Sequence, residues 1–252
     1  MLNQAVILAG GRGERLRPLT DTLPKPMAPI NNFPFLDYLI KSIIDAKIKN
    51  ILILVGYKSE AIIDRYSNIN NINIEFSYSD EESFTGTRVI NAYEKLQNHF
   101  LLMYGDNYWP IAINNMWNKY LELDVKILTT VFSNINGTGE YKYENNILVD
   151  KNSKVIKYDK KRKNKQSNGV DIGYFIVSKK TLIESRNNSN FSFEESLLPK
   201  FIQNNELGAY ITDSQYYFIT NYNTIKEFEK AIIRNNFRPL STSYFEESLL
   251  EK

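Results

Sequence analysis

An α/β fold on a mostly parallel sheet is the architecture this sequence predicts, in three α/β/α layers with a small β-rich insertion. Three observations carry that expectation. Short continuous apolar runs at Ala5–Ala9, Ile51–Val55 and Phe100–Tyr104 each end on glycine, as strands buried on both faces do. Segments of helical periodicity lie between them. Strand and helix candidates alternate every 20 to 30 residues, the spacing of right-handed βαβ units.

The first strand, Ala5–Ala9, runs directly into Gly10-Gly11. Phe35 to Ile48 places Leu36, Leu39, Ile40, Ile43 and Ile44 on one helical face, with Pro34 at the first helical position. Ile51–Gly56 is the second strand, and Ala61–Tyr66 the helix after it. Ile72–Tyr78 alternates as a third strand, followed by a helix over Arg88–Leu96. Phe100–Tyr104 is the fourth, ending at Gly105-Asp106. Val125–Phe132 and Val170–Val177 are core strands. Between them Tyr141–Tyr143, Ile147–Val149 and Val155–Tyr158 are short strands divided by Gly and Asn turns, and these make the β-rich insertion. Phe193–Gln203 and Thr224–Arg234 are helices. One domain over residues 1–236 is expected, with a tail over 237–252.

Composition removes several kinds of chemistry. The chain has 252 residues and no cysteine, which excludes disulfides, thiolate nucleophiles and Cys-ligated zinc. A single histidine, His99, provides neither a His cluster for a metal nor the base of a Ser-His-Asp triad, and reads as structural. A net charge of +2 is too balanced to make nucleic acid the main partner. No apolar stretch approaches the ~20 residues of a membrane span, and no basic flank precedes the first strand as in a secretion signal. Cytoplasmic location is expected. Monomer and homo-oligomer both stay open, the segment after Pro239 being one place where a neighbouring subunit could pack.

The chemistry concentrates in the loop after the first strand, Gly10-Gly11-Arg12-Gly13-Glu14-Arg15-Leu16. Its glycines let the backbone approach a ligand and aim N–H groups at phosphate oxygens, and Arg15 adds a charged donor. The dinucleotide fingerprint fails because Leu16 stands where the third glycine is needed, and no Gly-Lys-Ser/Thr follows to make a P-loop. Pro24 and Pro26 flank Lys25 and are expected to hold its backbone extended and stiff. Asp106 follows a strand whose carboxyl end is where open α/β sheets bind ligands, so it is a natural Mg²⁺ ligand beside a polyphosphate, or else a helix cap.

Leu8-Ala9-Gly10-Gly11-Arg12-Gly13-Glu14-Arg15-Leu16-Arg17-Pro18-Leu19-Thr20, followed by Pro24-Lys25-Pro26-Met27, resembles the signature of the sugar-phosphate nucleotidylyltransferases, also called NDP-sugar pyrophosphorylases. The resemblance covers most of residues 4–234 and implies a Rossmann-like, GT-A-like nucleotidyltransferase fold. It implies that an NTP and a sugar 1-phosphate become an NDP-sugar and pyrophosphate with Mg²⁺, in nucleotide-sugar and polysaccharide biosynthesis. Leu8, Ala9, Gly10, Gly11, Gly13, Arg15, Lys25, Thr85 and Gly86 would then bind nucleotide, with Arg15, Lys25 and Asp106 catalytic. Glu14 departs from the commoner threonine.

The same resemblance assigns metal to Asp106 and to Asn221, where the family has a second aspartate. An amide offers Mg²⁺ an oxygen without charge, so this departure predicts weaker binding. Lys161, in Lys160-Lys161-Arg162, aligns with the lysine of the family's Glu-Lys-Pro and would take the sugar phosphate. Lys160 does so after a one-residue shift, and a solvated basic loop is the plain alternative. Asp171 and Gly173 would face the sugar. Thr85-Gly86-Thr87-Arg88 is similar to glucose-1-phosphate cytidylyltransferases, whereas the start of the chain and Ser192–Lys200 are similar to mannose- and heptose-phosphate guanylyltransferases. GTP with a manno-configured hexose or heptose 1-phosphate and CTP therefore both stand. A non-sugar phosphorylated acceptor and a regulatory sugar-nucleotide binder are the rival functions.

Overall fold

A computed structural model describes residues 2–185 and 189–245. In chain order the elements are β1 (Gln4–Leu8), β2 (Pro29–Ile30), β3 (Phe33–Pro34), α1 (Phe35–Asp45), β4 (Asn50–Val55), α2 (Glu60–Tyr66) and β5 (Asn73–Tyr78). Then come α3 (Thr85–Asn91), β6 (His99–Tyr104), β7 (Asn107–Tyr108), α4 (Ile113–Leu123), β8 (Ile127–Phe132), β9 (Ile147–Val149) and β10 (Val155–Tyr158). The chain finishes with β11 (Val170–Ser178), α5 (Leu198–Gln203), β12 (Leu207–Thr212), β13 (Tyr217–Phe218) and α6 (Tyr222–Asn235). These residues fall into two compact units.

The first unit comprises Asn3–Glu82, Tyr104–Ile111 and the chain from Tyr217 onward. Its strands β1, β4 and β5 pair in parallel, Gln4 opposite Asn50 and Asn50 opposite Asn73. The apolar runs that announced β1 and β4 are buried on both faces, as parallel strands between helices must be. Helix α1 buries Phe35, Leu36, Leu39, Ile40 and Ile43, each contributing about 1.5–3 kcal/mol by leaving water. Beneath it the wholly buried Asp37 carboxylate accepts from Arg65 Nε at 3.1 Å and the Tyr66 hydroxyl at 2.6 Å, so its charge is paired.

Helix α6 enters this unit through Phe228, whose ring meets Phe35 at 5.3 Å, Tyr38 at 5.5 Å, Tyr108 at 5.0 Å and Tyr217 at 5.6 Å. Of the segment expected as a tail, residues 237–245 fold onto the same unit. Phe237 packs 4.8 Å from Tyr108, Leu240 is buried, and the Asn70 N–H donates to the Tyr244 carbonyl at 2.9 Å. Residues 246–252 lie outside the described residues.

The second unit comprises mainly Ser83–Met103 and Ala112–Tyr216. Strand β11 runs antiparallel to both β6 and β8, while β12 runs parallel to β8. The β9–β10 hairpin supplies the expected β-rich insertion. His99 packs edge-on against Trp117 at 5.4 Å and Tyr120 at 5.6 Å, and burial with the charge of Lys180 holds its pKa below the usual value.

Three expectations are corrected. Tyr141–Tyr143 is a turn, because the Asn134 side chain takes up the Gly139 N–H at 2.9 Å and the Lys142 carbonyl at 2.7 Å, groups a strand would offer to a neighbour. Phe193–Gln203 is a π-turn over Phe193–Leu197 followed by α5, the change falling beside Pro199. The helix expected over Arg88–Leu96 begins earlier, at Thr85, and gives way to a 3₁₀ turn at Tyr93–Lys95. Among the described residues no helix is long and apolar enough to cross a membrane.

The aromatic hub yields a stability prediction. Phe228→Ala should lower unfolding stability by about 3–5 kcal/mol in urea titration, since the cavity has ring neighbours on several sides. Phe237→Ala, at the edge of the cluster, should cost less.

Candidate active site

Strand β1 delivers the glycine loop to a fixed place. The Ala9 N–H donates to the Leu54 carbonyl and the Tyr57 N–H to the Gly10 carbonyl, both at 3.0 Å, so the parallel pairing continues past the strand ends. Leu8 is half-buried, while Ala9 and Gly10 are buried. Gly13 then turns with φ +65°, a left-handed conformation that glycine adopts freely. A Cβ there would stand 2.7 Å from the Lys25 Cβ. Gly11 differs, having nothing within 4 Å of a Cβ position. The free protein does not need glycine there for space.

The Pro24-Lys25-Pro26 segment corrects another expectation. Pro24 is extended, but Lys25–Met27 form one 3₁₀ turn, because the φ set by Pro26 suits that turn and the Met27 N–H reaches the Pro24 carbonyl at 2.8 Å. The turn sends the Lys25 stem beneath Gly13. Lys25 is 8% exposed, and its Nζ donates to Asp106 Oδ2 at 2.6 Å.

Asp106 reaches that ammonium because Gly105 presses against β1. The Gly105 N–H donates to the Leu8 carbonyl at 3.0 Å, and a Cβ on Gly105 would stand 2.6 Å from that oxygen. Sequence therefore predicted Lys25 and Asp106 separately, and the structure joins them. Asn221 follows from the same place: the Ile219 N–H donates to the Asp106 carbonyl at 3.0 Å, and α6 begins just beyond. The Asn221 Oδ1 accepts the N–H groups of Asn223 at 3.0 Å and Thr224 at 3.1 Å, closing a capping box.

Arg15 is exposed on the 3₁₀ turn after Gly13. Its neighbour Arg12, for which the sequence suggested no role, bonds Glu81 at 2.8 Å and Glu82 at 3.0 Å, and its guanidinium lies 5.5 Å from the Tyr57 ring centre. Acidic residues at Glu81-Glu82 were a visible signal, but their pairing with the loop is tertiary.

In the second unit Thr85 and Gly86 open α3 against the segment before α5. The Thr85 hydroxyl donates to Glu194 Oε2 at 2.8 Å and accepts the Phe193 N–H at 2.9 Å. A Cβ on Gly86 would meet the Phe191 ring at 2.3 Å. The two predicted nucleotide residues are thus firmly set by Phe191–Glu194, a segment whose role sequence reading missed.

Asp171 and Gly173 come together at a β-bulge in β11, where Gly173 has φ +77° and donates its N–H to Asp171 Oδ1 at 3.0 Å. The Thr129 hydroxyl donates to the same oxygen at 2.9 Å. Burial pushes the Asp171 carboxyl up to about 7, Glu194 adds to the rise, and the two hydrogen bonds and Arg162 oppose it. Lys161 lies exposed in the loop after β10, its N–H bonded to Asp159 Oδ1 at 3.1 Å, and Lys160 pairs with Glu195 at 3.0 Å.

The family description "Nucleotidyl transferase" matches residues 4–218, most of the chain and of both units. The chain belongs to the nucleotidyl transferase family. A D-glycero-alpha-D-manno-heptose 1-phosphate guanylyltransferase of Aneurinibacillus thermoaerophilus is 28% identical over 86% of this nucleotidyl transferase and 91% of its own length. The enzyme of the same name from Campylobacter jejuni is 30% identical over 77% and 84%. Among solved structures, HddC from Yersinia pseudotuberculosis superposes with a TM-score of 0.74 at 27% identity, covering 92% of this chain and all of that one. The expected sugar-phosphate nucleotidyltransferase family and α/β nucleotidyltransferase fold are met.

The buried Asp171 makes stability depend on pH. Its folded pKa stands above that of an unfolded aspartate, so the folded state holds the extra proton between about pH 4 and 7 and loses stability as pH rises through that window. Asp171→Asn keeps an acceptor oxygen for Thr129 and Gly173 and cannot ionise. Its melting temperature relative to wild type should therefore climb from pH 4.5 to pH 7.5, read by differential scanning calorimetry.

Proposed function

We propose that this nucleotidyl transferase joins the nucleoside monophosphate of an NTP to a sugar 1-phosphate and releases pyrophosphate, with GTP and a manno-configured hexose or heptose 1-phosphate as substrates. The observation that carries the reading is the Lys25–Asp106 pair held beneath the glycine loop. The heptose guanylyltransferase relatives support guanosine, as does HddC, solved in complex with GMP-PN.

The sugar phosphate is ionised at neutral pH, so its oxygen attacks the α-phosphorus without a general base. The new P–O bond forms as the bond from the α-phosphorus to its bridging oxygen breaks, and pyrophosphate leaves with that electron pair. Catalysis then rests on position and charge. Loop N–H groups from Gly10, Gly11 and Gly13 hold triphosphate oxygens, Arg15 neutralises them, and Lys25 exchanges Asp106 for a phosphate oxygen. Thr85 and Gly86 address the base, and Asp171 and Gly173 the sugar. The reaction would run in the cytoplasm.

The residues present fit Mg²⁺ brought by the nucleotide. Asp106 is half-exposed and commits only Oδ2 to Lys25, and among the described residues no three His, Cys, Asp or Glu side chains form a metal cage. One carboxylate with phosphates and water is a usual Mg²⁺ environment. When bound, Mg²⁺ would supply charge neutralisation for the leaving pyrophosphate. Asn221 would join it through the oxygen that now caps α6. That commitment favours the second reading, a regulator that binds sugar nucleotides without turning them over.

A pyrophosphate-release assay over four NTPs and a panel of sugar 1-phosphates separates the two. We expect Mg²⁺-dependent release, fastest with GTP and a manno-configured acceptor, and a loss of about 10²–10³ in kcat/KM for Lys25→Ala and for Asp106→Ala. Nucleotide binding without turnover establishes the regulator instead.

A further inference from the structure

The glycine loop of the first unit already holds an anion supplied by the chain. Arg12, between Gly11 and Gly13, donates to Glu82 Oε1 from Nε at 3.2 Å and from Nη2 at 3.0 Å. The same Nη2 stands 2.8 Å from Glu81 Oε2. Both carboxylates come from the loop after β5, and the turn that presents them is made locally, the Glu82 N–H donating to Asp80 Oδ1 at 2.9 Å. Tyr57 gives Arg12 a fixed platform. Its N–H donates to the Gly10 carbonyl at 3.0 Å and its hydroxyl to the Thr20 carbonyl at 2.9 Å, so one residue braces both ends of the glycine loop. The Arg12 guanidinium carbon lies 5.5 Å from the Tyr57 ring centre and Lys58 Nζ 5.3 Å from it.

This ion pair differs from Lys25–Asp106 in what holds it together. The Lys25 side chain is 10% exposed and needs its counter-charge, whereas that of Arg12 is 41% exposed and that of Glu82 76%. Exposed pairs contribute little to folding, and water takes up the carboxylates when such a pair opens. The contact is therefore easy to break. It also sits one residue from the open side of the loop: Gly11 is exposed, and among the described residues no atom lies within 4 Å of the place its Cβ would occupy. A guanidinium fork accepts phosphate oxygens in the same geometry as carboxylate oxygens. A polyphosphate entering beside Gly11 brings more charge than the two glutamates and gains the loop N–H groups as well.

We propose that Glu81 and Glu82 form an autoinhibitory latch, a resident anion that occupies Arg12 in the free protein and yields it to an incoming polyphosphate. Closed, the latch ties the glycine loop to the loop after β5; open, it leaves Arg12 on phosphate oxygens. The inference rests on the reading above that the glycine loop receives a triphosphate, and adds to it a built-in competitor that lowers affinity for that group.

The test is a double-mutant cycle on the full chain, read by isothermal titration calorimetry with Mg²⁺ and two probes, GTP and inorganic tripolyphosphate. The double variant Glu81→Gln with Glu82→Gln should lower Kd for both probes by a similar factor, about three- to tenfold. With Arg12→Ala in place, the same two substitutions should change either Kd by less than about twofold. Arg12→Ala should accordingly weaken binding more in the glutamine background than in wild type. Glu82→Gln alone, which removes the oxygen that takes two of the Arg12 donors, should show the larger part of the gain.

Unchanged or weaker tripolyphosphate binding in the glutamine variants overturns the proposal, since the carboxylates would then be holding the loop ready rather than shut. A loss confined to GTP does so as well, because it makes them readers of the base. So does a gain that persists undiminished beside Arg12→Ala, the mark of general charge relief. Wild type that binds neither probe removes the triphosphate reading of the loop and the latch with it, an outcome separate from all three.

Discussion

A lysine ammonium tucked under a glycine turn needs a counter-charge, and the rest of the first unit is arranged to supply one. Lys25 is 8% exposed and meets one carboxylate oxygen, Asp106 Oδ2, at 2.6 Å. Removing water from an ammonium is costly unless a well-placed anion replaces it. Two glycines make the replacement possible from opposite sides. Gly13 lets the loop close over the lysine stem, and Gly105 lets the chain after β6 lie against the Leu8 carbonyl. A methyl group at either point would push one partner away. Under the proposed transferase reading, triphosphate oxygens would take the lysine and free the aspartate for a cation.

The scaffold beneath the pair explains why so much aromatic surface is spent on α6. Phe228 gathers Phe35, Tyr38, Tyr108 and Tyr217, and Phe237 closes the cluster. Tyr108 and Tyr217 belong to the β7–β13 ladder, which continues into the bond from Ile219 to the Asp106 carbonyl. Packing of the hub thus holds the backbone of Asp106 through that bond. In the second unit the corresponding device is polar. Glu194 and Thr85 lock one segment to α3, and Asn146 links the Asp159 loop to Asp171. In each unit these polar groups are satisfied by the chain itself.

Much of this was legible in the sequence where the determining physics is local. Buried strands showed as apolar runs, and the glycine loop showed as a motif because its turn is made by neighbouring residues. Strand β12 did not show, since Gly208 and Ala209 interrupt its apolar character and only pairing with β8 makes it a strand. Helix α4 carries Ile113, Met116, Trp117 and Tyr120 at helical spacing, but Asn114, Asn115 and Asn118 dilute the pattern. The resemblance assigned Asn221 to metal, and the helix-capping role of its side chain was not read from the sequence. The geometry of the basic loop was illegible because the Asp159 carboxylate, which gathers the N–H groups of Lys161, Lys163 and Asn164, sets it rather than the order of the basic residues.

The most direct test of the account is a crystal structure with Mg²⁺ and a non-hydrolysable GTP analogue. The expected result is Lys25 Nζ on a phosphate oxygen, the ion on Asp106, and loop N–H groups from Gly11 and Gly13 on the triphosphate. A nucleotide bound elsewhere, with Lys25 still bonded to Asp106, contradicts it.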